Sequence, residues 1–182
     1  MKRAKNLLRR LVLRVRGIHT ASDYRRAGAQ IGANFLGNGV EINLNDCPFV
    51  SIGDDVVFGP RVLILAHDAA LRSRVGYTKV LPVRVDDGAF VGAGSILLPG
   101  TTVGRAAIIA AGSVVRGPIP ADQVWGGAPA KYICDVAPMV ERARERMRKE
   151  PNVAAGWQRE FRRGGSHRER ILEQAPQGGW FY

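Results

Sequence analysis

The sequence predicts an all-β protein built as a parallel β-helix with helical segments at both ends, and three observations carry that reading. The stretch "VGAGSI LLPGTT VGRAAI IAAGSV", Val91 to Val114, divides into sixes. Val91, Leu97, Val103 and Ile109 lead the units, and a small residue (Ser95, Thr101, Ala107, Ser113) fills each fifth place. A helix repeats at 3.6 residues and a flat strand at 2, so neither produces this count. The count also extends beyond that stretch. It reaches back to Val85 ("VDDGAF") and forward to Val115, restarts at Ile52 ("IGDDVV FGPRVL ILAHDA"), and is looser from Ile31 ("IGANFL GNGVEI") until it loses phase near "NLNDCPFVS". Finally, no helical segments alternate with these runs, which excludes the buried strands of an α/β sheet.

A six-residue period is the signature of a coil in which each unit supplies one short strand and one turn, three units closing a triangular turn of the helix. The leading aliphatics then stack inside and the small fifth residues fit the corners. Glycine at the second place lets neighbouring backbones crowd. Such a rod exposes strand edges at its ends and flat faces along its sides, so end caps and oligomerisation are expected. The repeats occupy residues 27–136, interrupted by the aperiodic "ALRSRVGYTKVLPVR" at 70–84, which must leave the coil as an excursion.

Two basic ends flank this region. Of the 27 Lys/Arg and 16 Asp/Glu, residues 1–26 hold nine bases and one acid and residues 137–182 hold ten and six, so the repeat region is nearly neutral. Charge confined to the ends, without aromatic-rich RNA motifs or zinc-finger spacing, argues against nucleic acid despite the net charge of +11. Two distant cysteines, Cys47 and Cys134, form no disulfide framework and point to a reducing, cytoplasmic setting. In residues 1–26, Leu7, Leu8, Leu11, Val12 and Val15 form a helical stripe among Arg9, Arg10, Arg14 and Arg16. The stripe can cap the rod or lie peripherally on an anionic membrane surface; capping is preferred because repeat folds need it. After Pro138, "PMVERARERMRKE" and "NVAAGWQREF" read as helices, Ser166–Glu169 as the capping box of a third, and "QGGWFY" as a tail.

The candidate chemistry centres on one histidine. Of His19, His67 and His167 only His67 lies in the repeats, at the fourth place of "ILAHDA". That place faces outward and immediately precedes the excursion, where a loop can fold over it. Asp68, in the fifth place, is expected to turn inward at the corner. The imidazole is therefore expected to find its orienting partner in a backbone carbonyl or across a subunit groove. The pairs Asp54–Asp55 and Asp86–Asp87 read as solvated turn acids. "VGAGSI" lacks the third glycine, helix and distant acid of a dinucleotide site. No histidine cluster supports a metal.

The ordered segments "IGDDVVFGPRVLILAHDA", "VDDGAFVGAGSILLPGTTVGRAAIIAAGSVV" and "GGAPAKYI", spanning about residues 31–134, resemble the left-handed β-helix acyltransferases with hexapeptide repeats. Within that family the chain is most similar to the maltose/galactoside O-acetyltransferases and polysaccharide-biosynthesis acetyltransferases. The resemblance implies acetyl transfer from acetyl-CoA to a saccharide hydroxyl, such as that of a surface polysaccharide precursor, in grooves between subunits of a homotrimer. It matches His67 to the catalytic histidine and Asn43 to a substrate-contacting asparagine. It places Phe90, Ala93, Ala111, Arg116, Gly117 and Lys131 along CoA, with Arg116–Gly117 standing where the family carries Thr-Lys. No nucleophilic serine or cysteine is evident, so direct transfer with a histidine general base is expected. Xenobiotic acetyltransferases share the fold and size, and a non-catalytic β-helix scaffold is the alternative outside enzymes. The γ-class carbonic anhydrases share the fold too, but they need several repeat-region histidines for a metal.

Overall fold

The hexads become walls and corners as their side chains dictate. In the computed structural model, which describes residues 19–37 and 39–149 with strands at 152–153 and 180–181, each unit forms a strand of two to four residues followed by a turn. The first coil holds β1 (Gln30–Ile31), β2 (Leu36–Gly37) and β3 (Glu41–Ile42), and the second β4 (Val50–Ile52), β5 (Val57–Phe58) and β6 (Leu63–Ile64). A hairpin of β7 (His67–Asp68) and β8 (Lys79–Val80) interrupts. The third coil follows with β9 (Val83–Val85), β10 (Phe90–Val91) and β11 (Ile96–Leu97), and the fourth with β12 (Thr102–Val103), β13 (Ile108–Ile109) and β14 (Val114–Val115). A last partial coil holds β15 (Pro118–Ile119) and β16 (Gln123–Gly126), against which β17 (Lys131–Asp135) folds back antiparallel.

Three parallel sheets result. The first wall is β1-β4-β9-β12-β15, the second β2-β5-β10-β13-β16 closed by β17, and the third β3-β6-β11-β14. Phe90 pairs with Ile108 and Ile96 with Val114, so three hexads make one coil. The leading residues Ile52, Phe58, Ile64, Val85, Val91, Leu97, Val103, Ile109 and Val115 all point inward and are buried. At the corners Ser95, Thr101 and Ser113 are wholly buried, and each hydroxyl donates to a backbone carbonyl: Ser95 and Ser113 to Ala110 O, Thr101 to Leu98 O. A buried hydroxyl is tolerated only when so paired. Glycine at the second place is required where coils touch: a Cβ on Gly59 would lie 2.5 Å from the amide nitrogen of Ala93 on the next coil.

The near end of the rod is covered by α1 (Ala21–Arg26), whose first turn is fixed by the Thr20 N–H donating to the Asp23 carboxylate at 3.0 Å. Tyr24 is buried; its hydroxyl donates to Val40 O at 2.9 Å and accepts from the Ile42 N–H at 3.3 Å, so its ring and its polar tip both find partners. Burial pushes the Tyr24 phenol above its ordinary 10.0. Arg25 donates to Ile31 O and Gly32 O, carbonyls at the exposed end. The acidic pairs stitch the corner between the first and second walls. Asp54 Oδ1 accepts from Ala33 N at 2.6 Å, Asp87 Oδ1 accepts from Asp54 N at 2.8 Å, and Asp86 pairs with Arg84. These carboxylates are exposed or half-buried, and three of them, Asp54, Asp55 (accepting from Asn34 Nδ2 at 2.9 Å) and Asp87, tie the first three coils together.

Three sequence expectations change. The phase slip after Ile42 is a 3₁₀ helix at Leu44–Phe49 inserted at the corner. Asp68 does not turn inward: the chain leaves the coil at buried Ala66, so Asp68 is exposed in β7 and its Oδ1 accepts from the Ala70 N–H. The coil resumes at Val83, which is buried against Val50, so the last two residues of the 70–84 excursion belong to the first wall. Between β7 and β8 the excursion carries a single helical turn, α2 (Arg72–Val75).

The chain divides into two compact units, Met1–Val136 and Ala137–Tyr182. At the start of the second, α3 (Val136–Lys149) is the charged helix expected from Pro138 onward, with no buried residue and an Arg144–Glu141 pair at 2.6 Å. Asn152–Val153, expected to open a second helix, instead forms β18, paired in parallel with β19 (Trp180–Phe181), so part of the expected tail is strand as well. The expected helices at residues 1–16 and 166–169, and the rest of the one expected after Asn152, lie outside the described residues.

Candidate active site

The two interruptions of the repeat meet. Asn43 caps the 3₁₀ helix: its Oδ1 accepts from Asn45 N at 2.9 Å and its carbonyl from Asp46 N at 2.8 Å. That turn carries Asp46 beneath the third-wall to first-wall corner, where it is 3% exposed. Its Oδ2 accepts from the Ala66 N–H at 3.0 Å, and both its oxygens face His67 Nδ1, at 2.7 and 2.9 Å. An ionised carboxylate only accepts, so the contact puts the proton on Nδ1 and leaves the Nε2 lone pair available. The His67 side chain stays about one-third exposed (35%) while Asp46 is enclosed. A buried base-orienter pair with one open ring nitrogen is the geometry of a general base.

The orienting partner is thus a carboxylate of the same chain, not the backbone carbonyl or cross-subunit group expected from sequence. Its signal was the phase slip itself, an acid inside the segment where the hexads fail. Cys47, next to Asp46, is fully buried, and burial followed by the neighbouring Asp46 charge pushes its thiol above 9.0.

His67 opens into a cleft of about 300 Å³ lined by Leu65, Asp68, Lys79, Leu81, Leu98, Pro99 and Arg116. The cleft joins His67 to Arg116, with Gly117 next along the same corner. Asn43 is exposed and absent from that lining. The remaining expected CoA residues sit across the third wall. Ala93 and Ala111 stack on successive coils at the corner between the second and third walls, where Ala93 O accepts from Gly112 N at 2.8 Å. Lys131 pairs with Gly126 above that corner, and Phe90, half-exposed, points outward from the adjoining second-wall strand. Within one chain the two groups occupy different edges of the prism.

Residues 82–117 match the bacterial transferase hexapeptide (six repeats) family. The chain is 36% identical over 103 residues to the galactoside O-acetyltransferase of Lactococcus lactis, covering 52% of this chain and 49% of that protein. Among solved structures, a maltose O-acetyltransferase from Clostridium difficile 630 is similar at 33% identity and TM-score 0.52, over 60% of this chain and 59% of that one. A hexapeptide-repeat acetyltransferase of Vibrio cholerae, complexed with acetyl-CoA, is similar at 28% identity and TM-score 0.54, over 60% and 61%. These likenesses imply the left-handed course of the coil. The chain spans about half the length of the curated relatives it matches.

The likeness also reaches the mitochondrial gamma carbonic anhydrase 2 of Arabidopsis thaliana, 36% identical over 103 residues, 55% of this chain and 36% of that protein. Among the described residues no group of three or more His, Cys, Asp or Glu side chains is placed to hold a metal. No helix among them is long and apolar enough to cross a membrane.

Proposed function

We propose that this protein is an acetyl-CoA-dependent O-acetyltransferase acting on a saccharide hydroxyl, of the kind found in surface polysaccharide precursors. The observation that carries it is the Asp46–His67 pair, buried on one side and open on the other. In this reading the acceptor hydroxyl attacks the thioester carbon while Nε2 of His67 takes its proton. The C–S bond then breaks, and the imidazolium returns that proton to the departing CoA sulfur. Asp46 stabilises the transient imidazolium and holds the ring so that Nε2 stays aimed at the cleft. The reaction needs no covalent acetyl-enzyme.

The two separated groups of CoA residues support a homotrimer. The third wall lies between both corners; of its outward side chains, Leu63, Ile96 and Val114 are apolar and half-buried, and Glu41 in the first coil is charged and exposed. The first wall instead presents Gln30, Ser51, Arg84 and Thr102 in register. A threefold arrangement with third walls facing the axis brings the His67–Arg116–Gly117 edge of one copy to the Phe90–Ala93–Ala111–Lys131 edge of the next, forming a groove for CoA.

Release of free thiol from acetyl-CoA on addition of neutral and acidic sugars tests the reading, with His67→Ala as control. Removal of a general base costs about 10²–10⁴ in rate, so His67→Ala should lower kcat by that order. No sugar-dependent thiol release, or release unchanged in His67→Ala, removes the proposal.

A further inference from the structure

The cleft around His67 holds more positive charge than the proposed reaction uses. Resting on the acetyltransferase reading, we infer that the acceptor carries an anionic group, a carboxylate or a phosphate, and that Lys79 binds it. Lys79 stands in β8, where Val80 is the cross-strand partner of His67 and Asp68 that of Lys79, and its side chain lines the cleft beside His67. Asp68, opposite it in the hairpin, accepts from the Ala70 N–H at Oδ1 and makes no ion pair with Lys79. Among the described residues no hydrogen bond or ion pair engages the Lys79 side chain.

The charge pattern agrees. Residues 70–84 contain Arg72, Arg74, Lys79 and Arg84 and no acid, within a repeat region that is otherwise slightly acidic. Arg84 is held by Asp86 at 2.6 Å, and of the other three cations Lys79 is the one that lines the cleft. CoA does not account for Lys79. The flexible pantetheine arm separates the thioester from the pyrophosphate, and the reacting carbon must lie within contact distance of the hydroxyl that His67 deprotonates. A cation next to His67 therefore stands at the acceptor end. Arg116, two coils further along the same corner, lies in the direction in which CoA would run.

The test is calorimetric titration of the full chain saturated with CoA, using D-glucuronate, galactose 1-phosphate, and neutral glucose and galactose. At least one anionic sugar should bind about tenfold or more tightly than its neutral parent, the scale of one charge-assisted contact. Tighter glucuronate identifies a carboxylate site, tighter galactose 1-phosphate a phosphate site. Lys79→Met should bring that preference to near unity, Lys79→Arg should restore most of it, and the Kd for CoA should be the same in all three proteins. Equal affinity for charged and neutral sugars, a preference that survives in Lys79→Met, or a change that appears in the CoA Kd instead overturns the inference. Failure of the wild-type chain to bind CoA overturns the acetyltransferase reading and this inference with it; CoA binding without anion preference removes this inference alone.

Discussion

Asp46→Asn isolates what the buried carboxylate does for His67. In the wild-type chain Asp46 accepts two hydrogen bonds, from the Ala66 N–H at 3.0 Å and from His67 Nδ1 at 2.7 Å. An asparagine can keep the first only by giving its oxygen to Ala66, which turns its NH₂ toward Nδ1. The ring must then accept at Nδ1 and carry its proton on Nε2, where the attacking hydroxyl needs a lone pair. The volume and the Ala66 bond are kept, so the fold should hold, whereas Asp46→Ala would strand the Ala66 N–H at about 1–3 kcal/mol. Loss of the base is worth about 10²–10⁴ in rate, or roughly 3–5 kcal/mol of barrier. Steady-state thiol release should therefore show kcat down by at least about 100-fold, with the KM for acetyl-CoA and the melting temperature close to wild type. Asp68→Asn, at an exposed turn, serves as the matched control and should stay within a few-fold. If Asp46→Asn keeps more than about half of wild-type kcat, or if its loss lies wholly in KM, Asp46 does not set the state of the imidazole and the argument fails.

The proposed division of the site between copies predicts a particle of about three times 19.8 kDa in light scattering. It also predicts that mixed assemblies of His67→Ala with Ala111→Trp regain activity that neither has alone; a monomer with full activity, or mixtures that stay dead, would count against it. Lys131→Ala should raise the KM for acetyl-CoA by about one to two orders of magnitude, the value of a charge-assisted phosphate contact, and an unchanged KM removes Lys131 from the CoA path. Tyr24→Phe should cost about 1–3 kcal/mol in denaturant unfolding by leaving Val40 O and the Ile42 N–H short of a partner. Because the folded phenol holds its proton more tightly than the unfolded one, Tyr24 contributes stability that is complete below pH 10.0 and is lost as pH rises above it. Stability that declines equally above that pH in wild type and Tyr24→Phe would contradict this. Under native conditions a maleimide should label half-buried Cys134 quickly and buried Cys47 only on unfolding; rapid double labelling would contradict the burial.

The rod was legible because its period is enforced physically at each step: an aliphatic that fails to point inward at Val91, Leu97 or Val103 leaves a void in a core one side chain wide. His67 was legible for a related reason, as an outward place next to a break in the count. Asp46 was not. The inserted 3₁₀ turn makes Ile42 pair with Ile64 instead of the residue three hexads on, so no periodic argument places Asp46 against His67. Asn43 shows the converse limit. Matched by resemblance to a substrate contact, its side chain here caps the turn that holds Asp46, a role set by local backbone geometry. The N-terminal stripe belongs to residues outside those described, and the cap that is seen, Tyr24 and Arg25, comes from a segment whose pattern is too short to show a period.

The excursion leaves and rejoins the rod through a narrow neck, closed by the Leu81 N–H to Ala66 O bond at 2.9 Å and by the β7–β8 pairing. The segment between Asp68 and Lys79 can therefore be exchanged for another loop without disturbing the rungs on either side, since its two attachment points are already held together by the pairing and the Leu81–Ala66 bond. Under the proposed acetyltransferase reading, the parts of the molecule separate accordingly: the stacked coils would keep a fixed bench for one invariant donor, and the hairpin would work as an interchangeable tool head for different acceptors. Grafting hairpins of other sequence onto this neck is a route to altered acceptor range that leaves the coils intact.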